Sequence, residues 1–343
     1  MTVLVVGGNG ALGSAILRRL RGLGAAVRSF DLSPHPDAGV ESRVGDVRQM
    51  EEVMAACDGV EAVIHTAVKV SQQATPSQSM YEVNVRGTEN LIAACQAQRV
   101  SRLIYTSSVD VVFDGTPIAN GDERLPYPKA HLDYYGTTKM LAEQAVLAAN
   151  GAAGVATCAL RVGGLFGPGD RHRFPRVLQI VLDSGMYTRI GDGKSRFNHL
   201  FIENAAHAHV LAAERLALDS PLAAQAYFIT DQAPGNFFDL FPPYLDALGV
   251  RYKVRTLPYT LMRMVADLNE RRSRRAAAGE DREISLSRYA VESTCRDFWF
   301  TSKKAARELG YAPIVSAEEA FAATLDWLRG WMAARQAEGQ ESH

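Results

Sequence analysis

In the stretch YYGTTK (134–139), Tyr135 and Lys139 stand four residues apart. On a helix, positions i and i+4 share a face, so a phenol and an ammonium would point at the same bound molecule. A tyrosine beside a cation is a candidate acid–base pair, provided that a cofactor site lies upstream and a third polar group nearby. Tyr134 and Thr138 form a second pair at the same spacing, without a cation. The run RLIYTSS (102–108) supplies the third group, because a strand there delivers Ser107 and Ser108 to one edge of a sheet.

The cofactor site is at the start of the chain. TVLVV (2–6) runs into GGNGALG (7–13), which places Gly7, Gly10 and Gly13 between a strand and a helix. Gly7 permits the tight turn, Gly10 lets the backbone approach a pyrophosphate, and Gly13 lets the helix pack close to the sheet. The helix N-terminus, at Ala11 and Leu12, offers N–H groups and the positive end of its dipole to phosphates. Asp31 closes the second strand. A carboxylate there accepts from the adenosine ribose hydroxyls and repels a 2′-phosphate, which favours NAD over NADP. Asp46, with Val47 beside it, follows the third strand and either meets the adenine or caps a helix. His65, Thr66 and Ala67 end the fourth strand at the carboxyl edge. Thr66 and Ala67 join the cofactor set, while His65, on a buried strand end, reads as structural.

These residues need a scaffold. Apolar β-branched runs at 2–6, 25–31, 42–44, 61–65, 102–108 and 155–161 alternate with helical stretches at 11–24, 50–57, 79–98 and 134–149. Continuous apolar strands separated by helices predict an α/β fold with a Rossmann-type doubly wound parallel sheet, covered on both faces. The alternation weakens after Gly163. A smaller, interleaved C-terminal substrate lobe is expected over 163–198 and 231–335, with elements returning to the 1–162 domain near 199–230. Residues 336–343 read as a flexible tail. Leu257–Arg275 has apolar residues at helical spacing and then four arginines; it is either a surface helix packed on the lobe or a helix resting on a membrane.

The bulk properties bound the partners. The chain has 343 residues, 47% hydrophobic and 22% charged, with a net charge of −1. No basic excess points to nucleic acid. The four cysteines are scattered, without metal-ligand spacing, so no metal site is expected. No run is long enough to span a bilayer and no signal sequence is evident. A cytoplasmic protein is expected, with 257–275 as the segment that could contact the inner membrane.

Taken together, GGNGALG, Asp31, NVRGT (84–88), YTSS (105–108), YYGTTK and LRVGGLFGPGD (160–170) resemble the extended short-chain dehydrogenase/reductase family, in that family's order and over nearly the whole chain. VFDGTPIANGDERLPY (112–127), the leading tyrosine of DYYGTTK, GDGKSRFNHLFIENAAHAHVLAAE (191–214) and AYFITD (226–231) resemble its 3β-hydroxysteroid dehydrogenase branch. Within that branch they are similar to the decarboxylating sterol-4α-carboxylate 3-dehydrogenases of sterol C4 demethylation. The resemblance is weakest in the last third, and the long hydrophobic anchor of eukaryotic relatives is not seen there, which implies a soluble bacterial form.

The resemblance implies roles. Tyr135 is the general acid–base. Lys139 favours its phenolate and holds the nicotinamide ribose. Ser108, rather than Ser107, orients the reacting oxygen, since it lies four residues before a position that is usually tyrosine and is Val112 here. Asn84 serves helix geometry and the polar network of the site. Val162 stands where the family usually has proline after the residue matching Arg161. The family also pairs the helices 79–98 and 134–149 into a four-helix homodimer interface.

The implied chemistry is oxidation of a 3β-hydroxyl on a sterol or steroid. If a carboxylate stands β to the new ketone, the ketone is an electron sink and CO₂ can leave without a metal. Lys69, Arg171 and Arg173 are either cations for that carboxylate or solvated charges. Other readings share the same residues. Reduction of a 2-alkyl-3-oxoalkanoate fits the triad, and Asp31 counts against it if NADPH is the donor. A nucleotide-sugar epimerase also fits, whereas dehydratases of the family carry an acid where Val109 stands. Asp110 is either a further acid–base or structural. A non-catalytic NAD-binding scaffold would have little need of both Tyr135 and Lys139.

Overall fold

The computed structural model describes residues 2–71, 75–171, 173–275 and 286–341. Its centre is built from the short apolar runs. They form β1 (Thr2–Val6), β2 (Ala26–Asp31), β3 (Glu41–Val44), β4 (Ala62–His65), β5 (Arg102–Ser108), β6 (Ala156–Val162) and β7 (Gln225–Phe228). These make one sheet in the order β7-β6-β5-β4-β1-β2-β3, with every neighbouring pair parallel. The order reverses between β1 and β4. That is the topological switch point, where the carboxyl ends of the strands leave a crevice.

Both faces of the sheet are covered, as continuous apolar strands require. On β1, Val3 and Val5 enter one core while Leu4 and Val6 enter the other, following the alternation of a strand. The first core receives Ala15, Ile16 and Leu20 of the Ala11–Gly22 helix and Ala205, Ala208 and Ala212 of the Ile202–Arg215 helix. The second receives Val53 of Met50–Cys57, Leu91 and Ala94 of Gly87–Ala97, and Ala142 and Val146 of Tyr134–Ala148. A separate aromatic core, with Phe174, Tyr187, Phe241, Tyr244 and Leu328, holds the lobe together.

Four boundaries differ from the expectations. The helix expected over 79–98 is Gln78–Tyr81 and Gly87–Ala97 joined by a π-helical turn, Glu82–Arg86. Leu257 does not start a helix; it ends a strand, Lys253–Leu257, that pairs with Met186–Ile190, and the helix is Tyr259–Arg275. The interleaving is deeper than one returning segment. Ile118–Gly121 pairs with Phe298–Phe300 of the lobe, and Ala305, Leu309 and Tyr311 pack back into the first sheet core. The final helix, Ala317–Glu341, runs through most of the stretch read as a tail. Residues 276–285 of the expected lobe and 342–343 of the expected tail lie outside the described residues. Among the described residues no helix is long and apolar enough to cross a membrane.

Candidate active site

The glycine loop is built as its composition requires. Gly7 has φ 85°, in the left-handed region, and a Cβ there would come within 2.6 Å of the Ala67 nitrogen. A Cβ on Gly13 would run into the Gly7 carbonyl, so the helix can approach the loop this closely only as glycine. Gly8, which the pattern did not single out, is equally constrained by Ser29. Gly10 is the N-cap of the Ala11–Gly22 helix, with no side-chain cap and no acid in the first turn. The N–H groups of Ala11 and Leu12 are thus left for an anion. The loop and helix end fit the pyrophosphate of a dinucleotide.

The neighbouring strand ends brace this loop. Thr66 Oγ1 donates to the Val6 carbonyl at 2.9 Å, and the Ala67 N–H donates to the same carbonyl at 2.9 Å. The Asp31 carboxylate accepts the N–H of Asn9 at 2.9 Å and that of Leu32 at 2.8 Å, so it lies at the loop with lone pairs to spare for ribose hydroxyls. Asp46 is not the cap of the following helix. Its carboxylate is held by the Arg48 guanidinium at 2.6 Å, which lowers its proton affinity, and the helix cap is Gln49. Val47 is buried against Gly87, and its carbonyl accepts from Asn90 Nδ2 at 3.0 Å. His65 is buried, shares a hydrogen bond with Thr88 Oγ1 at 3.0 Å, and is pushed down to about 3 by burial and then by Lys139. It sits in the core as a neutral ring.

The π-helical turn has a purpose at Asn84. Its amide accepts from the Lys69 N–H at 2.8 Å and donates to the Lys69 carbonyl at 3.0 Å and to Thr138 Oγ1 at 3.0 Å. One buried amide thus ties the loop after β4 to the helix of Tyr135. An i to i+5 slip is a common way to turn a functional side chain inward.

The Tyr134–Ala148 helix begins at Asp133, whose Oδ1 accepts the Gly136 N–H at 2.9 Å. Tyr135 is half-buried and lies beside Ser108. Tyr134 instead lies near Tyr81, on the flank of the helix. Ser107 is buried and its hydroxyl finds no partner. Burial, then the Asp110 and Asp133 carboxylates, raise the Tyr135 phenol; the neighbouring Ser108 hydroxyl lowers it. Lys139 is buried, donates to the Thr106 carbonyl at 2.5 Å and lies 4.1 Å over the Tyr105 ring. Burial pushes its ammonium down to about 7, against Glu143 and Asp110. Two carboxylates, Asp110 and Asp133, thus lie within electrostatic reach of Tyr135.

The role of Asp110 was open beforehand, and Tyr289 was not legible at all. Ser108 Oγ donates to Asp110 Oδ2 at 2.6 Å, and Tyr289, from the lobe helix Arg288–Cys295, donates to Asp110 Oδ1 at 2.6 Å. An apolar wall of Val109, Val111, Phe113 and Phe298 packs around them, with Tyr289 edge-on to Phe113. The three candidate cations separate. Lys69 Nζ donates to Ser79 at 2.7 Å, Arg171 reaches the Asn9 carbonyl of the glycine loop at 3.2 Å, and Arg173 stacks on Phe237 at 5.0 Å in the field of Tyr289.

The arrangement has counterparts among known proteins. Residues 4–259 match the model of the 3-beta hydroxysteroid dehydrogenase/isomerase family. The chain is 36% identical over 336 residues to a 3 beta-hydroxysteroid dehydrogenase/Delta 5-->4-isomerase of Mycobacterium tuberculosis, covering 95% of this chain and 90% of that one. It is 37% identical to a bovine (Bos taurus) short-chain dehydrogenase/reductase family 42E member 1, covering 90% of this chain and 83% of that one. In fold it is similar to the UDP-glucose 4-epimerase of Thermus thermophilus, with a TM-score of 0.74 at 22% identity over 96% of this chain and 99% of the other. The fold is thus shared with an epimerase, and the sequence relatives narrow it: the chain belongs to the 3-beta hydroxysteroid dehydrogenase/isomerase family.

Proposed function

We propose that the protein oxidises the 3β-hydroxyl of a sterol or steroid with NAD. The observation that carries this is the meeting of Tyr135 and Ser108 at the carboxyl edge of the sheet, beside a glycine loop closed by Asp31, in a chain of this family. NAD bound there would supply the hydride acceptor and, when oxidised, a positive charge near the Tyr135 phenol. Asp31 sets the preference for NAD through the ribose hydroxyls. Tyr135 takes the alcohol proton, Ser108 holds the reacting oxygen, and Lys139 sits one turn below, within reach of a nicotinamide ribose.

The finer reading is a 4α-carboxysterol that loses CO₂ after oxidation. The new ketone, β to the carboxylate, accepts the electron pair of the breaking C–C bond. Arg173 is the cation best placed for that carboxylate, since it lies in the lobe and in the field of Tyr289. Arg173 itself donates to the Leu165 carbonyl at 3.4 Å and meets His199 at 3.2 Å, while Lys69 and Arg171 are engaged at Ser79 and at the glycine loop. Incubation with NAD and 3β-hydroxysterols, with and without a 4-carboxyl group, tests both levels. NADH formation from any of them supports the dehydrogenase, and CO₂ from the 4-carboxy substrate alone supports decarboxylation. No NADH from any sterol would overturn the reading.

A further inference from the structure

On the helix Tyr259–Arg275 the usual distribution of polarity is reversed. Among its described side chains the exposed ones are Thr260, Leu261, Met264, Leu268, Arg271 and Arg272. At about 3.6 residues per turn these six share about a third of the circumference. Leu261, Met264 and Leu268 are 44%, 62% and 47% exposed, so the outward stripe is apolar over its first turns and cationic over its last. The acids of the helix lie off this stripe. Asp267 is paired with Arg263 and Arg288, and Glu270 is buried.

Polar bonds on the inward side hold the helix in this rotation. Glu292, buried on the neighbouring helix Arg288–Cys295, accepts the Tyr259 hydroxyl at 3.0 Å and Arg263 Nε at 2.5 Å. Glu270 Oε1 accepts the Arg288 N–H at 2.7 Å. Turning the helix over would cover Leu261, Met264 and Leu268, but it would strand two buried carboxylates without these donors. The apolar stripe is therefore kept outward. Single exposed apolar side chains are ordinary on a protein surface; a row of three on one side of a helix marks a contact surface.

We propose that this face docks the protein on an anionic lipid surface, with the helix lying in the plane of the interface. Leu261, Met264 and Leu268 enter the boundary of the acyl chains, and Arg271 and Arg272 meet the lipid phosphates. Apolar residues on one side of a helix with cations beside them are what such an interface binds. The whole chain carries a net charge of −1, so these arginines are a local excess of positive charge. A second copy of the same face would bring them no carboxylate. Three half-exposed side chains also fall well short of the about 800 Å² per partner of a stable dimer. The inference stands apart from the choice of substrate.

The test is flotation of the full chain with sterol-free vesicles, made of equal parts phosphatidylcholine and phosphatidylglycerol or of phosphatidylcholine alone. The wild type should float with the mixed vesicles and much less with phosphatidylcholine, and added salt should narrow the difference. Arg271→Gln should weaken binding to the mixed vesicles about fivefold. Met264→Gln combined with Leu268→Gln should weaken it about tenfold or more. Met264→Trp provides an arm that needs no loss of binding: brominated acyl chains should quench its added fluorescence beyond the quenching seen in the wild type. No flotation of the wild type overturns the proposal, as does equal binding to both kinds of vesicle. Undiminished binding in the double glutamine variant overturns it too, since the lipid would then meet another face. If that variant does not fold, Met264→Trp decides, and no excess quenching overturns the proposal. A lipid-free dimer that the double variant dissociates, in a chain that ignores vesicles, would give the face to a second copy instead.

Discussion

Glu143 and Arg161 form a buried ion pair behind the helix that carries Tyr135. Arg161 Nη2 and Nε donate to Glu143 Oε1 at 2.7 and 3.1 Å, and Tyr127 adds its hydroxyl to the same oxygen at 2.6 Å. The pair locks the helix to β6 one turn beyond Lys139. Removing one partner leaves an unpaired buried charge, which costs about 3–5 kcal/mol. Glu143→Gln is expected to lose stability of that order in a denaturant titration. A loss below about 1 kcal/mol, the range of an exposed pair, would mean that the pair does not hold the helix.

Tyr135→Phe removes the proton acceptor and one hydroxyl, and leaves the glycine loop untouched. Turnover should fall about 10²- to 10⁴-fold while NAD still binds. Steady-state rates and a cofactor titration on the same preparation check this. Unchanged turnover would take the chemistry away from Tyr135.

Lys139 makes stability depend on pH in a calculable direction. Its folded pKa, about 7, lies below the ordinary 10.5. Between these values the unfolded chain holds a proton that the folded protein has shed, so stability rises with pH across the window. As pH falls through about 7 that increment is gone. Lys139→Met lacks the titration. The difference in melting temperature between wild type and variant should therefore grow in favour of the wild type as pH climbs above about 7. A difference that stays flat would place the lysine in water.

Asp31→Asn removes the charge at the end of β2 and keeps one acceptor for the loop. Discrimination against NADP in kcat/KM is expected to drop about tenfold or more, since a phosphate no longer faces a carboxylate. Parallel kinetics with the two cofactors measure it, and an unchanged ratio would mean that another group reads the ribose.

The strands and the cofactor loop were legible because their signals are local. A β-branched run such as TVLVV and a glycine at positive φ such as Gly7 announce themselves within a few residues. Asp31 was legible by its place at a strand end. The π-helical turn at Asn84 was not, because a slipped hydrogen bond leaves no mark on composition. The boundary at Leu257 was missed because its apolar side chain fits either periodicity and only pairing with Ile190 decides it. Tyr289 was out of reach for another reason: it meets Asp110 across 179 residues, and nothing in the local pattern of the Arg288–Cys295 helix sets it apart from a core aromatic.

The late return of Ala305, Leu309 and Tyr311 to the first sheet core bears on how the protein is made. The strand Ile118–Gly121 also waits for Phe298–Phe300. A chain emerging from the ribosome can collapse its early strands, but the first sheet core is complete only when the last of these segments arrives. Such long-range closure is slow. Cofactor affinity should therefore appear late in synthesis and all at once, and a fragment ending near residue 162 should be a poor NAD-binding module despite carrying the whole loop.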